Sequence, residues 1–332
     1  MILRLSAPGK LMIAGEYVVL DGAESLVAAV GARVIALASP LGSDGSPGSS
    51  PVSPGGAGLP PEAVLARSYA EAELGAAPME LTIDTSALRH GDKKLGLGSS
   101  AAASAASAAA VLAWHGGDPA AERRRVLGWA LAGHRAVAPQ GSGADVAAST
   151  LGGLVRFRRD AVEEASTIAW PSTLHVVVVW TGEPARTSDL VAKVRALADA
   201  DRPRYEQATA PLARAAEALL AAMIEGDAHG AVRAAGEHGR AMAGLGHAAG
   251  APIMTPSLAR VAALAEAHGG GAKPSGAGGG DVALAFFDDE DRAEAFRGAC
   301  RLEGLALVPL AIGVEGVRVD APAEEHSGSR EG

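Results

Sequence analysis

The sequence has a single cysteine, Cys300, among its 332 residues. One cysteine cannot form a disulfide within the chain, which excludes the class of small secreted domains that disulfides stabilise. The thiol is expected to be a small buried side chain on a C-terminal helix. Because a chain without disulfides fits a reducing compartment, we expect a cytoplasmic protein.

The sequence also lacks an excess of positive charge and any long apolar segment. Its net charge of −9 argues against a nucleic-acid-binding protein, which usually carries a basic face. The longest apolar run, residues 101–114, is too short and too rich in alanine to cross a bilayer, and the N-terminus MILRLSAPGK contains no signal-peptide core. These absences predict no nucleic-acid partner and no membrane partner. An anionic substrate would then need a local cluster of cations.

Two glycine-rich runs are the most informative features present, GLGSSAAAS at 96–104 and KPSGAGGGD at 273–281. Glycines let backbone N–H groups approach a ligand, and the first run leads into a helix with Ser99 as its expected cap. A helix N-terminus attracts phosphate. The first run has neither the lysine of a GxxxxGK[ST] loop nor the GxGxxG pattern, so a plain loop before an alanine-rich core helix stays an alternative.

The distribution of apolar residues predicts an α+β fold. A length of 332 residues fits two domains, and a hydrophobic content of 48% predicts a sizeable core. Strands and helices are mixed without a strict βαβ rhythm, which favours a layered α+β architecture. We expect strands over 25–37, 174–180, 282–287 and 306–314, helices over 62–74, 101–114, 119–138, 188–247 with breaks, 257–268 and 291–302, a surface loop over 40–61 and a disordered tail over 321–332.

Three separate segments together resemble the GHMP small-molecule kinases. APGKLMIAGEYVVLDG at 7–22, GLGSSAA at 96–102 and KPSGAGGGD at 273–281 are similar to the three motifs of that family, in its order and approximate spacing. The resemblance implies an N-terminal domain over 1–160 that is like ribosomal protein S5 domain 2, and a ferredoxin-like C-terminal domain over 161–320. It also implies an active site in the cleft between them, with ATP and Mg²⁺ as cofactors.

Within this family the motifs are most similar to those of bacterial phosphomevalonate kinases. Tyr17 stands where mevalonate kinases and galactokinases usually have histidine, and KKLGLGSSA at 93–101, WTGEPARTSDLV at 180–191 and Asp281 favour the same branch. The resemblance implies that a monomer or homodimer phosphorylates 5-phosphomevalonate to 5-diphosphomevalonate in the mevalonate pathway of isoprenoid synthesis. A mevalonate kinase, another kinase of the family and a non-catalytic ligand sensor stay open as alternatives.

The resemblance also implies two catalytic residues, Lys10 and Asp145. At the position of Lys10 the family has a lysine that lies beside the transferred phosphate. At the position of Asp145 it has its catalytic aspartate. A phosphomonoester has a second pKa of about 6 and is mostly dianionic at neutral pH, so its oxygen can attack ATP without a base. With 5-phosphomevalonate as the acceptor we therefore expect Asp145 to orient Lys10 and the substrate. By its match to the family, Ser100 is the expected protein ligand of Mg²⁺, which binds oxygen atoms.

The remaining site residues are carried over by their match to the motifs. Isolated cations and a histidine on a helix are more often solvated surface groups, and this alternative applies to several of them. The residues expected to bind nucleotide are Lys94, Gly96, Leu97, Gly98, Ser99, Ser100 and Ala101. The residues expected to bind substrate are Lys10, Glu16, Tyr17, His134, Ser142, Gly143, Arg186, Ser188, Ser275, Gly276, Ala277, Gly278, Gly279 and Asp281.

Overall fold

A computed structural model describes residues 2–41, 58–76 and 78–320 of the chain. The predicted loop over 40–61 falls largely, and the predicted tail over 321–332 entirely, outside these residues. The strands are β1 (Leu3–Ala14), β2 (Ser25–Pro40), β3 (Met79–Asp84), β4 (Arg89–His90), β5 (Lys93–Lys94), β6 (Leu154–Phe157), β7 (Ser166–Ile168), β8 (His175–Trp180), β9 (Gly271–Pro274), β10 (Val282–Phe287), β11 (Ala306–Leu307) and β12 (Arg318–Val319). The α-helices are α1 (Pro61–Leu74), α2 (Ser99–Trp114), α3 (Arg123–Val137), α4 (Ala144–Leu151), α5 (Thr187–Ala200), α6 (Arg202–Glu225), α7 (Ala228–Ala249), α8 (Pro256–Ala267) and α9 (Glu290–Leu302).

The first sheet has six strands in the order β12-β1-β2-β6-β7, with β3 also paired to β2. Its centre is the long antiparallel pair of β1 and β2, and helices α2 and α4 pack against both strands. Most of β1 is buried, since residues 5–9 and 11–14 have almost no exposed surface. A strand that is covered in this way has a nearly continuous apolar sequence, which is what LSAPGKLMIA approaches.

Helix α2 is the buried centre of the N-terminal half. Every residue from 101 to 112 is buried, and most of them are alanine. Small side chains allow α1, α3 and α4 to pack closely around this helix. The helix predicted over 101–114 is confirmed, but the expected cap is wrong: the N-cap is Gly98, in a left-handed conformation, and no side chain caps the helix. The first N–H groups of α2 therefore have no side-chain acceptor.

The second sheet has four antiparallel strands in the order β11-β8-β10-β9. Alternate residues of β8 face opposite sides: Val177 and Val179 pack with α8 and α9, while Val178 and Trp180 join the larger core that includes α5 to α7. Because both faces of this sheet are covered, β8 and β10 have the continuous apolar sequences HVVVVW and VALAFF. Two sheets with helices packed against them confirm the predicted α+β class.

The last predicted strand, 306–314, is wrong as one element. Of this segment, β11 and the N–H of Val308 pair with β8, and the chain then crosses to the first sheet, where Gly31 N donates to Ala311 O at 2.8 Å. β12 completes this return by pairing with β1. Pro309 has no N–H to give to a sheet ladder, which explains why the apolar run does not continue as one strand. The domain limit at residue 160 stays a prediction. Two strands that follow this residue in the sequence, β7 and β12, belong to the first sheet.

The helices that the structure describes include none that is long and apolar enough to cross a membrane. Cys300 lies on α9 with no exposed surface, as expected.

Candidate active site

The first glycine run forms a tight loop that ends at the N-terminus of α2. Gly96 and Gly98 have φ angles of 78° and 77°, a conformation that favours glycine. A Cβ on Gly98 would lie 2.9 Å from Cγ of Lys10, and a Cβ on Gly96 would lie 2.4 Å from Cβ of Asp281. The loop therefore passes between Lys10 and Asp281 at a distance that only glycine allows.

Lys10 lies on β1 and is held against this loop. Its backbone N donates to Leu97 O at 2.8 Å, and its ammonium donates to Gly96 O at 3.2 Å. A lysine ammonium has three donors, and the protein occupies one of them here. The remaining donors of Lys10 are available to a ligand beside the N-terminus of α2.

A chamber of about 570 Å³ opens over the loop and is called the nucleotide chamber below. All the residues predicted to bind nucleotide line it. Its wall also carries the cations Lys10, Arg89, Lys93 and Lys94 and the carboxylates of Asp92, Asp145 and Asp281. The Lys94 ammonium makes no hydrogen bond or ion pair within the described parts of the chain, although the Lys94 backbone pairs with Arg89. Open helix N–H groups and several cations together form a site that suits a polyphosphate.

Asp281 belongs to the nucleotide chamber and not to the predicted substrate site. Its φ is 55°, an unusual value for a residue other than glycine. Its Oδ1 accepts a hydrogen bond from Ala185 N at 3.0 Å. Burial raises the pKa of Asp281, while the Ala185 bond and the charges of Lys10 and Lys94 oppose the rise.

Asp145 is the second residue of α4. The N-cap of this helix is Gly143, whose φ of 84° makes the turn into the helix. Its Oδ1 accepts from Val146 N at 3.0 Å. His134 Nε2 lies 3.9 Å from the same oxygen, which is too far for a hydrogen bond. His134 is almost fully buried, and its Nδ1 has no partner. Among the residues that the structure describes, none donates a hydrogen bond to the other carboxylate oxygen of Asp145, so this oxygen can contact a ligand.

A second chamber of about 330 Å³ lies next to the first and is called the acceptor chamber. Its wall combines neutral polar groups with apolar side chains, among them Tyr17, Leu20, Gln140, Ser142, Ser188 and Val191. The residues that line both chambers are Lys10, Asp145, Thr187, Gly276 and Ala277. The two predicted catalytic residues therefore lie where the two chambers meet.

The back wall of the acceptor chamber joins the first and third motifs. Tyr17 has the unusual φ of 64° and donates its hydroxyl hydrogen to Ala277 O at 2.6 Å. Burial is the main cause that raises the pKa of this phenol, so Tyr17 stays a neutral donor. Glu16 is buried beside it in contact with Lys273 of β9. These contacts attach the loop after β1 to the glycine loop after β9.

Some predicted substrate residues do not line the acceptor chamber. Arg186 is exposed, precedes α5 and lines neither chamber, although its neighbour Thr187 lines both. Ser275 lines the nucleotide chamber, and its Oγ accepts from Met12 N at 2.9 Å. The others pack inside the protein, where a Cβ would meet a neighbouring side chain or backbone: Gly143 against Leu131, Gly278 against Ile253, Gly279 against Leu190.

Sequence reasoning missed several residues of the site. Thr187 stands next to the predicted Ser188, and Lys273 opens the third motif, so both had a signal in the segments already singled out. Gln140 lies in the PQGSGAD turn beside Asp145. His238, which contacts Glu16 from α7, had no signal, because its helix is remote in sequence from all three motifs.

Comparison with known proteins decides the family. Residues 63–153 match the family model described as GHMP kinases N terminal domain, and residues 215–304 match the one described as GHMP kinases C terminal. Together these models match more than half of the chain. The chain belongs to the GHMP kinase family.

Two curated relatives align with nearly the whole of this GHMP kinase. A phosphomevalonate kinase of Streptomyces sp. is 31% identical, with 94% of this chain and 97% of the relative covered. A mevalonate kinase of Aeropyrum pernix is 28% identical, with 92% and 98% covered. Among solved structures, Streptococcus pneumoniae phosphomevalonate kinase in complex with phosphomevalonate and AMPPNP has a TM-score of 0.74 at 20% identity, covering 94% of this chain and 99% of that one. At 20% identity, the similarity to the Streptococcus pneumoniae structure shows a shared fold.

The GHMP kinases are phosphotransferases that use ATP, typically with Mg²⁺. No cluster of three or more His, Cys, Asp or Glu side chains that could hold a metal is found in residues 2–41, 58–76 and 78–320. Mg²⁺ usually keeps several waters and binds nucleotide phosphates through oxygen ligands. Ser100 lines the nucleotide chamber with Asp145 and Asp281, so oxygen donors are present there.

Proposed function

We propose that this GHMP kinase transfers the γ-phosphoryl group of ATP to 5-phosphomevalonate, giving ADP and 5-diphosphomevalonate, in the mevalonate pathway. The observation that carries the proposal is the meeting of two chambers at Lys10 and Asp145. Phosphoryl transfer needs two anionic groups held in line and a cation between them. The likeness to the Streptomyces phosphomevalonate kinase supports this acceptor over others of the family.

In this proposal the phosphates of ATP lie at the first turn of α2. The uncapped N–H groups after Gly98 and the ammonium groups of Lys10 and Lys94 hold them there. Mg²⁺, when bound with ATP, neutralises phosphate charge, and the Ser100 hydroxyl would be its protein ligand. Lys10 then lies beside the γ-phosphoryl group and stabilises the negative charge that its oxygens carry during transfer.

The transfer itself forms one P–O bond and breaks another. An oxygen of the acceptor phosphate bonds to the γ-phosphorus as the bond from that phosphorus to the β–γ bridging oxygen breaks, and ADP leaves. The acceptor phosphate has a second pKa of about 6 and is ionised at neutral pH, so no base is needed. Asp145 would orient Lys10 and the acceptor at the junction of the chambers.

Mevalonate is a second candidate acceptor, and the lining of the acceptor chamber favours considering it. Among the described residues of that wall, Lys10 is the one Lys or Arg side chain, and Arg186 lies outside it. 5-Phosphomevalonate carries a carboxylate as well as a phosphate, whereas mevalonate carries a carboxylate alone. With mevalonate, whose hydroxyl must lose a proton, Asp145 would act as the base.

The test is ADP release with Mg-ATP and a panel of mevalonate, 5-phosphomevalonate, 5-diphosphomevalonate, galactose and homoserine. Turnover with 5-phosphomevalonate alone supports the proposal. Turnover with mevalonate in its place would keep the family and change the acceptor. Binding of ATP without turnover of any acceptor would support a ligand sensor, and carbon dioxide released from 5-diphosphomevalonate would indicate a decarboxylating enzyme.

A further inference from the structure

A buried ion pair lies directly behind the acceptor chamber. The side chains of Lys273 and Glu16 are 0% and 1% exposed, and the Lys273 ammonium donates to Glu16 Oε1. The same ammonium donates to Met12 O at 3.0 Å. Met12 and Glu16 also line the acceptor chamber, so the pair is in contact with its wall.

The ion pair is the centre of a set of hydrogen bonds that joins β1 and the loop after it to the loop after β9. Glu16 Oε1 also accepts from Gly276 N at 3.2 Å. On one side of this bond, Met12 N donates to Ser275 Oγ at 2.9 Å. On the other side, the Tyr17 hydroxyl donates to Ala277 O at 2.6 Å. The backbone positions of both loops therefore depend on groups that Glu16 and Lys273 hold.

His238 closes the cluster from α7 without adding charge. Its side chain is 0% exposed, and its Nε2 lies 3.3 Å from Glu16 Oε2 and 3.4 Å from Gly15 N. Burial lowers the pKa of His238 well below its usual value, and the nearby Lys273 charge lowers it further. The imidazole is therefore neutral, and Lys273 is the one Lys or Arg in contact with Glu16 among the residues described.

A buried ion pair contributes little net stability compared with apolar side chains of the same volume, because two charges must leave water. Such a pair instead fixes geometry, since each hydrogen bond from or to a charged group holds its partner in a defined position. Here those partners are Met12 O and Gly276 N, at the wall of a substrate chamber. This combination explains why a lysine and a glutamate occupy a site where apolar residues would pack as well.

We propose that Lys273 is a positioning residue that, through Glu16, holds Tyr17, Gly276 and Ala277 where the acceptor binds. Gly276 also faces Lys10, since a Cβ on Gly276 would lie 4.0 Å from the Lys10 ammonium. Met12, Glu16 and Tyr17 line the acceptor chamber but not the nucleotide chamber, whereas Gly276 and Ala277 line both. Loss of the pair thus weakens acceptor binding more than ATP binding. This inference rests on the proposed kinase function but not on which acceptor is used.

The main test is the double variant Glu16→Gln with Lys273→Met, which removes both charges at nearly constant volume. Lys273→Met alone leaves a buried carboxylate without a cation, so this single variant is expected to be strongly destabilised. The double variant is expected to recover thermal stability. Its KM for the acceptor should still be raised at least about tenfold, while its KM for ATP should stay within about twofold of wild type. General destabilisation of the protein would not separate the two KM values in this way. The acceptor is the one that wild type phosphorylates.

Phe296→Leu is the matched control, because Phe296 is fully buried in the apolar cluster between the second sheet and α8 and α9, away from both chambers. It is expected to lower stability and leave both KM values unchanged. A double variant with wild-type stability and an unchanged acceptor KM would overturn the proposal. If that variant does not fold, Glu16→Gln alone serves, since burial lowers the pKa of Lys273 and a lysine without its carboxylate can lose its proton instead of remaining a buried charge.

Hydrogen exchange gives a readout that needs no acceptor. In the double variant the amides of residues 12–17 and 271–280 are expected to exchange faster than in wild type. In Phe296→Leu the amides of the same two segments are expected to exchange as in wild type. Unchanged exchange there would overturn the positioning role even if no acceptor were turned over. Absence of turnover in wild type would count against the proposed function instead, so the two failures are distinguishable.

Discussion

Lys10 is the residue on which the proposed chemistry depends most. Its ammonium has one protein acceptor, Gly96 O, and lies where the nucleotide and acceptor chambers meet. A single cation in this place can neutralise charge on the phosphoryl group as it moves between the chambers.

Replacing Lys10 with methionine is expected to lower kcat by about 10² to 10³-fold, the range seen when one electrostatic stabiliser is lost. The KM for ATP should change much less, because the α2 N-terminus and Lys94 remain. Lys193→Met is the control, since Lys193 is exposed on α5 and outside both chambers. Steady-state kinetics and circular dichroism of both variants would check this, and near-normal turnover of Lys10→Met would contradict the role.

Asp281 gives a prediction on pH and stability. Its pKa is raised in the folded protein, mainly by burial, so the folded state binds the proton more tightly than the unfolded chain does. The resulting stability is fully present below the unfolded pKa of about 3.9 and is lost as pH rises through the folded pKa. Relative to Asp281→Asn, wild type should therefore lose stability as pH rises from about 4.

Urea unfolding of wild type and Asp281→Asn between acid and neutral pH would measure this difference. Asparagine is a suitable replacement because it tolerates a positive φ and its oxygen can still accept from Ala185 N. A difference in unfolding free energy that stays constant with pH would show that burial does not perturb this carboxyl group.

At the scale of elements, the loop before α2 brings backbone donors next to Lys10, the proposed catalytic lysine. Gly98 is both the N-cap of α2 and the residue that packs against the Lys10 side chain. Its φ of 77° leaves the first N–H groups of the helix directed out of the loop, without a side-chain cap.

Gly98→Ala is expected to lose stability of order 1–3 kcal/mol, because alanine is strained at a positive φ. It should also lower kcat, since the new Cβ would lie 2.9 Å from Lys10 Cγ and displace it. Gly116→Ala is the matched control, with a φ of 82° and nothing within 4 Å of the added Cβ. Both variants should lose stability in urea unfolding, but a similar loss of kcat in both would rule out the Lys10 contact as its cause.

At the scale of the whole molecule, one apolar core joins the two sheets. The larger cluster of buried residues includes Leu5 and Val155 of the first sheet as well as Leu284 and Phe286 of the second. A shared core and the return of the chain to the first sheet predict that both halves unfold together. A single transition in calorimetry is the expected result, and two separate transitions would show that the halves are independent.

Cys300 can report on this cooperative unfolding. Its side chain has no exposed surface, and burial raises the pKa of its thiol to about 11. In the native state it should therefore react with a thiol reagent only as fast as the protein opens. Rapid labelling without denaturant, on a chain whose circular dichroism is native, would show that α9 opens independently.

Elements with clear periodicity were predictable from the sequence. The strand over 282–287 is observed at the predicted residues, and the helix predicted over 291–302 begins one residue earlier, because continuous or amphipathic patterns reflect local burial. The strand over 306–314 was wrong, since an apolar run does not reveal that its residues pair with two different sheets.

Site residues were also easier to predict where the local sequence decides their position than where tertiary packing does. The residues predicted to bind nucleotide all line one chamber, because they lie close together in one loop and the helix turn that follows it. Arg186 was expected in the acceptor site but is exposed at the start of α5, since the direction of a side chain on a loop depends on how that loop packs. The oligomeric state and the cytoplasmic location stay predictions.

The sequence by itself determined the family and the α+β class and singled out Lys10, Asp145 and the glycine loop as site candidates, because these depend on short segments with their own local chemistry. Only the tertiary structure decided that Lys273, Glu16 and His238 form one buried cluster, and that Asp281 faces the nucleotide chamber. Such groupings join residues more than two hundred positions apart, and the packing of both halves, not local sequence, brings them together.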